Sequence, residues 1–211
     1  MAPSGIDALP EAAQAVVFVG AFAGLGAGTA ATTKALDAAR SALPAGAAEA
    51  WRFGVEALPL LGVLYLAAGV GHFTQADAFR AIYPPAGTWG LWYLPGSASF
   101  HVAWTGVAEV LGGAGLLVGG ALTKLDPERP GPLGLPLSGV LTSAAALGLF
   151  ALTVAVTPAN VFMFTHGATM TPDPLPLSFH AVRFAVQVVV LSLLLTLAKD
   201  SAFYAWGDQL D

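Results

Sequence analysis

Long apolar stretches separated by short polar ones dominate the chain. Three runs with few polar interruptions lie at Val102–Leu122, Leu133–Thr157 and Ala181–Ala198. Each contains about 20 residues, the length that an α-helix needs to cross the hydrocarbon core of a membrane. A fourth run, Leu58–His72, reaches this length only by including Phe53–Ala57 and the stretch to Phe79, which places Glu56 at the membrane interface. The pattern predicts an all-α fold, a polytopic membrane four-helix bundle.

A fifth apolar stretch, Ala12–Thr33, is richer in alanine and glycine than in leucine. It either spans the membrane or lies against the other helices. Gly20, Gly24 and Gly28 recur every four residues, so one stripe of this additional N-terminal helix permits close approach of a neighbour. Such spacings also arise by chance in a chain with 25 glycines. No basic residue precedes the stretch, so we expect it to be retained rather than cleaved as a signal peptide.

These patterns divide the chain into an N-terminal extension, residues 1–52, and a four-helix transmembrane domain, residues 53–211. The composition agrees, since 56% of the residues are hydrophobic and 10% are charged. The mean hydropathy of +0.71 is that of an integral membrane protein in contact with the lipid bilayer. A net charge of −5 and the lack of a basic patch argue against nucleic acid as a partner.

The basic residues predict an orientation. Six of them fall on one side of the predicted topology: Lys34, Arg40, Arg52, Lys124, Arg129 and Lys199. The other side holds Arg80, with Arg183 just inside the last span. The positive-inside rule therefore places the basic loops on the cytoplasmic side, or on the stromal or matrix side of an organelle. The host membrane is a plasma membrane or an organellar one such as the thylakoid.

The opposite face carries all four histidines of the chain, which lie at or just beyond the ends of the apolar runs: His72, His101, His166 and His180. Taken singly, each is an ordinary interfacial residue. No His-x-x-x-His pair is present, so no metal site is predicted. The chain has no cysteine, which excludes disulfides, cysteine nucleophiles and cysteine-ligated iron–sulfur clusters. Any redox role needs a bound cofactor or a partner.

Polar residues within three of the spans point toward this histidine face. Helical spacing aligns His101 with Thr105 and Glu109, aligns His180 with Arg183 and Gln187, and aligns Tyr65 with His72. Glu109 lies deep in its span, where an ionisable group is costly and is a candidate functional residue. We expect Arg183 to reach inward toward Glu109. The stripe is either a pocket for a quinone-like head group, a metal or a tetrapyrrole, or a structural clasp that holds the helices together.

Three segments resemble the DoxX-like family of small integral membrane proteins, and together they cover about Leu58–Ala198. They are Ala68-Gly-Val-Gly-His-Phe73 followed by Phe79 and Pro84-Pro85, then Thr105-Gly-Val-Ala-Glu-Val-Leu-Gly-Gly113, then Thr157-Pro-Ala-Asn160 with His180, Arg183 and Gln187. The resemblance implies a four-helix membrane bundle with a shared site at His72, Glu109, Asn160, Arg183 and Gln187. It also implies a small subunit beside quinone-linked oxidoreductases that is not catalytic by itself.

The candidate cofactor-binding residues are thus Tyr65, His72, His101, Glu109, Asn160, Arg183 and Gln187. The candidate cofactors are a quinone or a tetrapyrrole, that is, haem or chlorophyll. No catalytic residue is assigned. The alternative is an architectural accessory subunit of a photosynthetic or respiratory assembly, in which a histidine ligates a pigment and Gly20, Gly24 and Gly28 dock onto other membrane subunits. A transporter is disfavoured by the small number of spans and the lack of an inverted repeat.

Overall fold

The computed structural model describes residues 2–52 and 60–206, and the regular elements in these ranges are helices. The α-helices are α1 (Glu11–Ser41), α2 (Ala45–Arg52), α3 (Leu60–Thr74), α4 (Ala76–Ala81), α5 (Ala98–Leu125), α6 (Leu137–Ala155), α7 (Thr157–His166) and α8 (Leu177–Trp206). Single turns of 3-10 helix lie at Ile6–Ala8, Thr88–Gly90 and Pro132–Gly134. The predicted all-α fold is confirmed.

Within residues 2–52 and 60–206, four stretches are long and apolar enough to cross a membrane: α1, α5, Leu137–His166 formed by α6 and α7, and α8. The chain is therefore an integral membrane protein. The helix α3 is shorter, at 15 residues. The predicted extension of this span through Phe53–Ala57, and the interfacial position of Glu56, lie outside the described residues.

Neighbouring helices pack in the order α3, α5, α6, α8 and α1. The centre is filled by leucines from three of them, and Leu116, Leu149, Leu194 and Leu197 are each at most 1% exposed. The helix α1 adds to the four-helix bundle by packing along α8, as predicted for an additional N-terminal helix. Because the two helices run parallel, their basic ends meet in the ion pairs Arg40–Asp200 (2.6 Å) and Lys199–Asp37 (3.1 Å).

The closest helix approach lies between α3 and α5, where glycines face each other. A Cβ added to Gly69 would lie 2.8 Å from the carbonyl oxygen of Gly106, and one added to Gly113 would lie 2.7 Å from that of Gly62. We call these four residues the glycine seam. Lipid tails are as apolar as leucine, so helices in a membrane associate largely through close packing of this kind. The seam fixes the faces that α3 and α5 present to one another.

The glycine stripe of α1 contacts the same chain. A Cβ on Gly28 would lie 3.1 Å from the side chain of Val188, and one on Gly24 would lie 3.5 Å from the ring of Phe184. Nothing lies within 4 Å of such an atom on Gly20. Gly24 and Gly28 therefore pack against α8 of the same chain, and docking of the stripe onto another subunit stays a prediction.

The chain after the third apolar run, Leu133–Thr157, continues as a helix. The helix breaks at Val156 and restarts as α7, with Pro158 in its first turn, where the missing N–H group is not needed. It ends at His166, followed by Gly167 with φ +69°.

The connection between α4 and α5 folds back over the bundle, as its apolar content predicts. Its anchor is Trp89, which is 1% exposed, donates a hydrogen bond from Nε1 to Thr165 Oγ1 (2.9 Å), and packs on Phe18 with 4.4 Å between ring centroids. Trp89 has φ +58°, a backbone conformation that bulky residues rarely adopt. Burial of the ring offsets this conformational cost, and Trp89 joins α1 to α7.

Candidate functional site: two cavities at the histidine end

The four histidines lie at one end of the bundle, at the end of α3, the start of α5, the end of α7 and the start of α8. This confirms the predicted histidine face. The polar residues at this end divide between two cavities on opposite sides of α7. Asn160 is the one polar residue, among those described, that lines both.

The first cavity, which we call the acid cavity, has a volume of about 260 Å³. It lies between α3, α4, α5 and the start of α7. Its polar and aromatic lining includes His72, Phe79, Tyr83, Trp92, His101 and Glu109. This volume suits a small ring or head group, being slightly below the range of about 300–1,000 Å³ typical of drug-sized ligands.

Glu109 and His72 form a buried pair on the wall of the acid cavity. His72 Nε2 lies 3.3 Å from Glu109 Oε2, and the two residues are each 8% exposed. His72 Nδ1 lies 2.9 Å from the carbonyl oxygen of Val102, which can only accept, so this nitrogen carries a proton. The other nitrogen, Nε2, faces the carboxyl group of Glu109 across the contact between α3 and α5.

Local structure explains this placement. Ser97 caps α5 by accepting a hydrogen bond from Phe100 N (3.1 Å), which starts the helix one turn before His101 and puts Thr105 and Glu109 on the face toward α3. The ring of Phe79 in α4 stacks on His72, with 3.8 Å between centroids, and holds the imidazole against α5. The relative positions of Glu109 and His72 do not satisfy the geometry of a hydrogen bond. Glu109 Oε2 has no hydrogen-bond partner in the described part of the chain.

His101 lines the same cavity but is committed to the protein. Trp104 Nε1 donates to His101 Nδ1 (3.0 Å), so His101 Nε2 is protonated and donates to the carbonyl oxygen of Pro95 (2.8 Å). Tyr83 stacks on the imidazole with 5.2 Å between ring centroids. Its hydroxyl is buried and lacks a hydrogen-bond partner among the described residues. Two buried polar atoms of this cavity, on Glu109 and Tyr83, thus remain unsatisfied.

The second cavity, which we call the arginine cavity, has a volume of about 450 Å³ and lies between α1, α7 and α8. Its lining is mainly apolar and includes Val17 and Ala21 of α1. Its polar groups come from Thr157, Asn160, His180, Arg183 and Gln187. The candidate residues Asn160, Arg183 and Gln187 are therefore brought together, away from His72 and Glu109.

Arg183 does not reach Glu109, and that prediction is wrong. Its guanidinium instead donates to the carbonyl oxygen of Asn160 (2.6 Å) and to Met163 Sδ (2.8 Å), and lies 3.3 Å from His180 Nδ1. The arginine faces α7 because α8 enters the bundle beside α7 and α1, while α5 lies beyond α6. The residue that faces Glu109 is instead His72, because His72 lies at the end of α3, beside α5.

Gln187 completes a polar network at the break between α6 and α7. Asn160 Nδ2 donates to Gln187 Oε1 (3.0 Å), and Gln187 Nε2 donates to Thr157 Oγ1 (2.7 Å). The amide of Gln187 also approaches the carbonyl oxygen of Thr153 (3.3 Å). These hydrogen bonds join α8 to α6 and α7.

Tyr65 and His166 line neither cavity. The hydroxyl of the candidate Tyr65 is bonded to Thr153 deeper in the bundle, beside the leucine core. His166, at the end of α7, is half-buried against Trp89 and near Thr165. Sequence reasoning missed Phe79, Tyr83 and Trp92, although the concentration of aromatic residues between Phe79 and Tyr93 was a signal for them.

Metal ligation gains no support in the described ranges. No group of three or more potential ligands from histidine, aspartate and glutamate comes together in residues 2–52 and 60–206. Val102 engages His72 Nδ1, Pro95 and Trp104 engage the two ring nitrogens of His101, and Glu109 lies 3.3 Å from His72 Nε2. A tetrapyrrole metal would have to displace these contacts to be ligated by His72 or His101.

Tyr83 gives a prediction that involves pH. Burial raises the pKa of its hydroxyl above the usual value of 10.0. The folded protein thus favours the neutral phenol, so this contribution to stability is complete below about pH 10 and is lost as pH rises through the raised pKa. We expect Tyr83→Phe to stabilise the protein by about 1 kcal/mol at neutral pH, because an unpaired buried hydroxyl is removed. The stability difference between Tyr83→Phe and the wild type should grow above about pH 10, as measured by thermal unfolding in detergent.

The matched control is Tyr93→Phe, since Tyr93 lies in the same connection and is 71% exposed. Its unfolding curve should follow that of the wild type at every pH. Parallel pH profiles for Tyr83→Phe and the wild type would contradict the burial of an unpaired hydroxyl at this site.

Comparison with models of known protein families, with curated proteins and with solved structures finds no match for this chain. The geometry of the two cavities therefore carries the functional argument.

Proposed function

We propose that this integral membrane protein is a DoxX-like small subunit of a quinone-linked redox complex, and that the acid cavity binds the quinone head group. The observation that carries the proposal is the pair of unsatisfied polar atoms, Glu109 Oε2 and the Tyr83 hydroxyl, in one small cavity with aromatic walls. A buried polar atom without a hydrogen-bond partner costs about 1–3 kcal/mol, which a bound ligand with carbonyl oxygens recovers.

A quinone head group matches the chemistry of this lining. Its planar ring packs between side chains such as Phe79 and Trp92, and its two carbonyl oxygens accept hydrogen bonds from a phenol or a protonated carboxyl group. Trp104, which is 38% exposed, stands at the rim, where an amphipathic ring suits a membrane interface. The isoprenoid tail then remains in the lipid.

The role of this chain is to hold one proton beside the bound head group. Reduction of a quinone to a quinol takes two electrons and two protons. The proposal assigns the electrons to a partner subunit, and one proton to the carboxyl group of Glu109, which lies 3.3 Å from His72 Nε2. The protein alone is not an enzyme in this scheme. The second proton comes from solvent at the histidine end.

The proposal includes an orientation. The basic end, which holds Lys34, Arg40, Lys124 and Lys199, faces the cytoplasm, stroma or matrix by the positive-inside rule. The acid cavity then opens toward the opposite side of a plasma membrane or an organellar membrane such as the thylakoid. Protons exchanged at Glu109 are released to, or taken from, that side.

The direct test is Glu109→Gln, which keeps the shape of the side chain and removes its exchangeable acid. We expect a short-tailed benzoquinone to bind the reconstituted protein about tenfold more weakly, because a weaker hydrogen bond from the amide replaces the one that the carboxyl group donates. Binding is measured by quenching of tryptophan fluorescence, since Trp92 and Trp104 line the cavity. Proton uptake or release on binding, measured with a pH dye, should disappear in the variant.

Glu128→Gln is the control, because Glu128 is an exposed residue of the loop at the basic end. It should bind the benzoquinone as the wild type does. Unchanged affinity and unchanged proton release in Glu109→Gln would sink the proposal.

An architectural accessory subunit is the second candidate function. One observation favours it: only 11% of the apolar stretch of α1 is buried within the protein, against 44% for α8, so α1 offers a long apolar surface to a partner or to lipid. An absorption spectrum and an analysis of extracted lipid from the natively purified protein separate the two. Stoichiometric quinone supports the first function, whereas a colourless, quinone-free protein attached to a large partner supports the second.

A further inference from the structure

We infer that the arginine cavity binds the acidic head group of a membrane amphiphile, with Arg183 as its recognition residue. The inference is independent of the quinone proposal, because it concerns the other side of α7. It rests on an unbalanced charge, on unused hydrogen-bond donors and on the apolar shape of the cavity.

The charge comes first. Arg183 is partly buried near one end of a membrane-spanning helix, and no carboxylate of the described residues lies within ion-pair distance of it. Its neighbours are a carbonyl oxygen, a thioether, an imidazole and the ring of Phe179, 5.9 Å away, and none of them carries a negative charge. A cation withdrawn from water without a counter-ion is costly, so charged residues in membrane segments normally have a partner or line a functional cavity.

The donors come second. A guanidinium has five N–H groups arranged as a fork that matches carboxylate or phosphate oxygens. In the structure, Nη2 faces Asn160 O and His180, and Nη1 faces Met163 Sδ, which is a weak acceptor. An acid oxygen offers Nη1 a far stronger acceptor than this sulfur. The amide of Asn160 and the hydroxyl of Thr157 lie on the same wall and are already ordered by Gln187.

The shape indicates an amphiphile rather than a free anion. Apart from its polar wall, the cavity of about 450 Å³ is lined by apolar side chains such as Val17, Val161, Phe164 and Phe184. Inorganic phosphate would leave this apolar surface in contact with water. A lipid places its head group at Arg183 and its first methylene groups against α1, and burial of these methylene groups favours binding.

This assigns a use to the N-terminal extension. The helix α1 closes one side of the arginine cavity through Val17 and Ala21, while Gly24 and Gly28 bring it close to α8 just below. Without α1, Arg183 would face open lipid on that side. The extension therefore builds the binding site.

The experiment titrates delipidated protein in neutral detergent with short-chain dioctanoyl phosphatidylglycerol, dioctanoyl phosphatidylcholine and octanoate, using native mass spectrometry. We expect a preference of about tenfold or more for phosphatidylglycerol over phosphatidylcholine, as charge-assisted contacts to arginine provide. Arg183→Gln should abolish this preference. Octanoate that competes as well as phosphatidylglycerol would identify a fatty acid as the source of the acidic head group, whereas weak competition identifies a phospholipid.

Two further variants make the result decisive. Arg80 lies at the same end of the protein and pairs with Asp77 outside the cavity. The variant Arg80→Gln should therefore retain the preference for phosphatidylglycerol. Ala21→Phe fills the cavity without touching the charge and should abolish it, so the inference stays testable even if Arg183→Gln does not fold. Equal binding of the two phospholipids by the wild type, or a preference that survives Ala21→Phe, would overturn the inference. Benzoquinone binding should survive Ala21→Phe, which separates failure here from failure of the quinone proposal.

Discussion

Gly69→Leu is expected to separate α3 from α5 and to cost at least about 3 kcal/mol of stability, at the upper end of overpacking effects. The Cβ atom would lie 2.8 Å from the backbone of Gly106 and Val110, and backbone atoms cannot move aside as a flexible side chain can. The added side chain has to push the whole of α5 away. The measurement is the thermal unfolding midpoint of the purified protein in detergent, together with the yield of monodisperse protein.

Gly148→Leu is the matched control for this prediction. Gly148 is also a helical glycine in a membrane-spanning segment, but nothing lies within 4 Å of a Cβ added to it. The same substitution there should leave the midpoint unchanged or raise it, because leucine is a better helix former than glycine by about 1 kcal/mol. If the two variants unfold at the same temperature, α3 and α5 do not meet through the glycine seam.

Separation of α3 from α5 should also disrupt the acid cavity. The Glu109–His72 pair bridges these two helices one turn from the seam, and Gly106 faces His72 directly, with 2.6 Å from an added Cβ to His72 Cβ. We therefore expect any folded Gly69→Leu protein to have lost benzoquinone binding. The seam is a positioning element for the site.

Trp89→Ala is expected to destabilise the protein by about 3–5 kcal/mol, the range for removal of a large buried aromatic side chain. Trp89 is 1% exposed and contacts Phe18 of α1 and Phe162 of α7, so its loss opens a cavity where three segments meet. It also leaves the Thr165 hydroxyl without the donor Nε1. Thermal unfolding checks the stability, and hydrogen exchange should show the largest loss of protection at the start of α1 and in α7.

Two companion variants sharpen this result. Trp89→Phe keeps most of the ring and removes the hydrogen bond, so it should cost only about 1–2 kcal/mol. Tyr93→Ala truncates a ring in the same connection that is 71% exposed, and it should have little effect. A Trp89→Ala protein as stable as Tyr93→Ala would show that the connection does not anchor the bundle.

The sequence by itself determined the class of the protein and its gross topology. Apolar stretches of membrane-spanning length define the helices without reference to their neighbours, because in lipid every backbone group has to be satisfied within its own helix. Successive spans alternate in direction, so the ends that carry His72, His101, His166 and His180 had to meet at one face. Glu109 was recognisable as a candidate functional residue, because an ionisable group deep in a membrane span is costly.

The tertiary structure decided which polar residues meet. Apolar length fixes where a helix crosses, but its rotation about its axis and its choice of neighbour depend on side-chain packing. The seam between α3 and α5 turns Glu109 toward His72, while α8 directs Arg183 toward α7, so the single predicted polar stripe divides into two cavities. The glycine repeat of α1 predicted close packing but did not identify α8 as a neighbour, since small residues permit close approach without specifying which helix approaches.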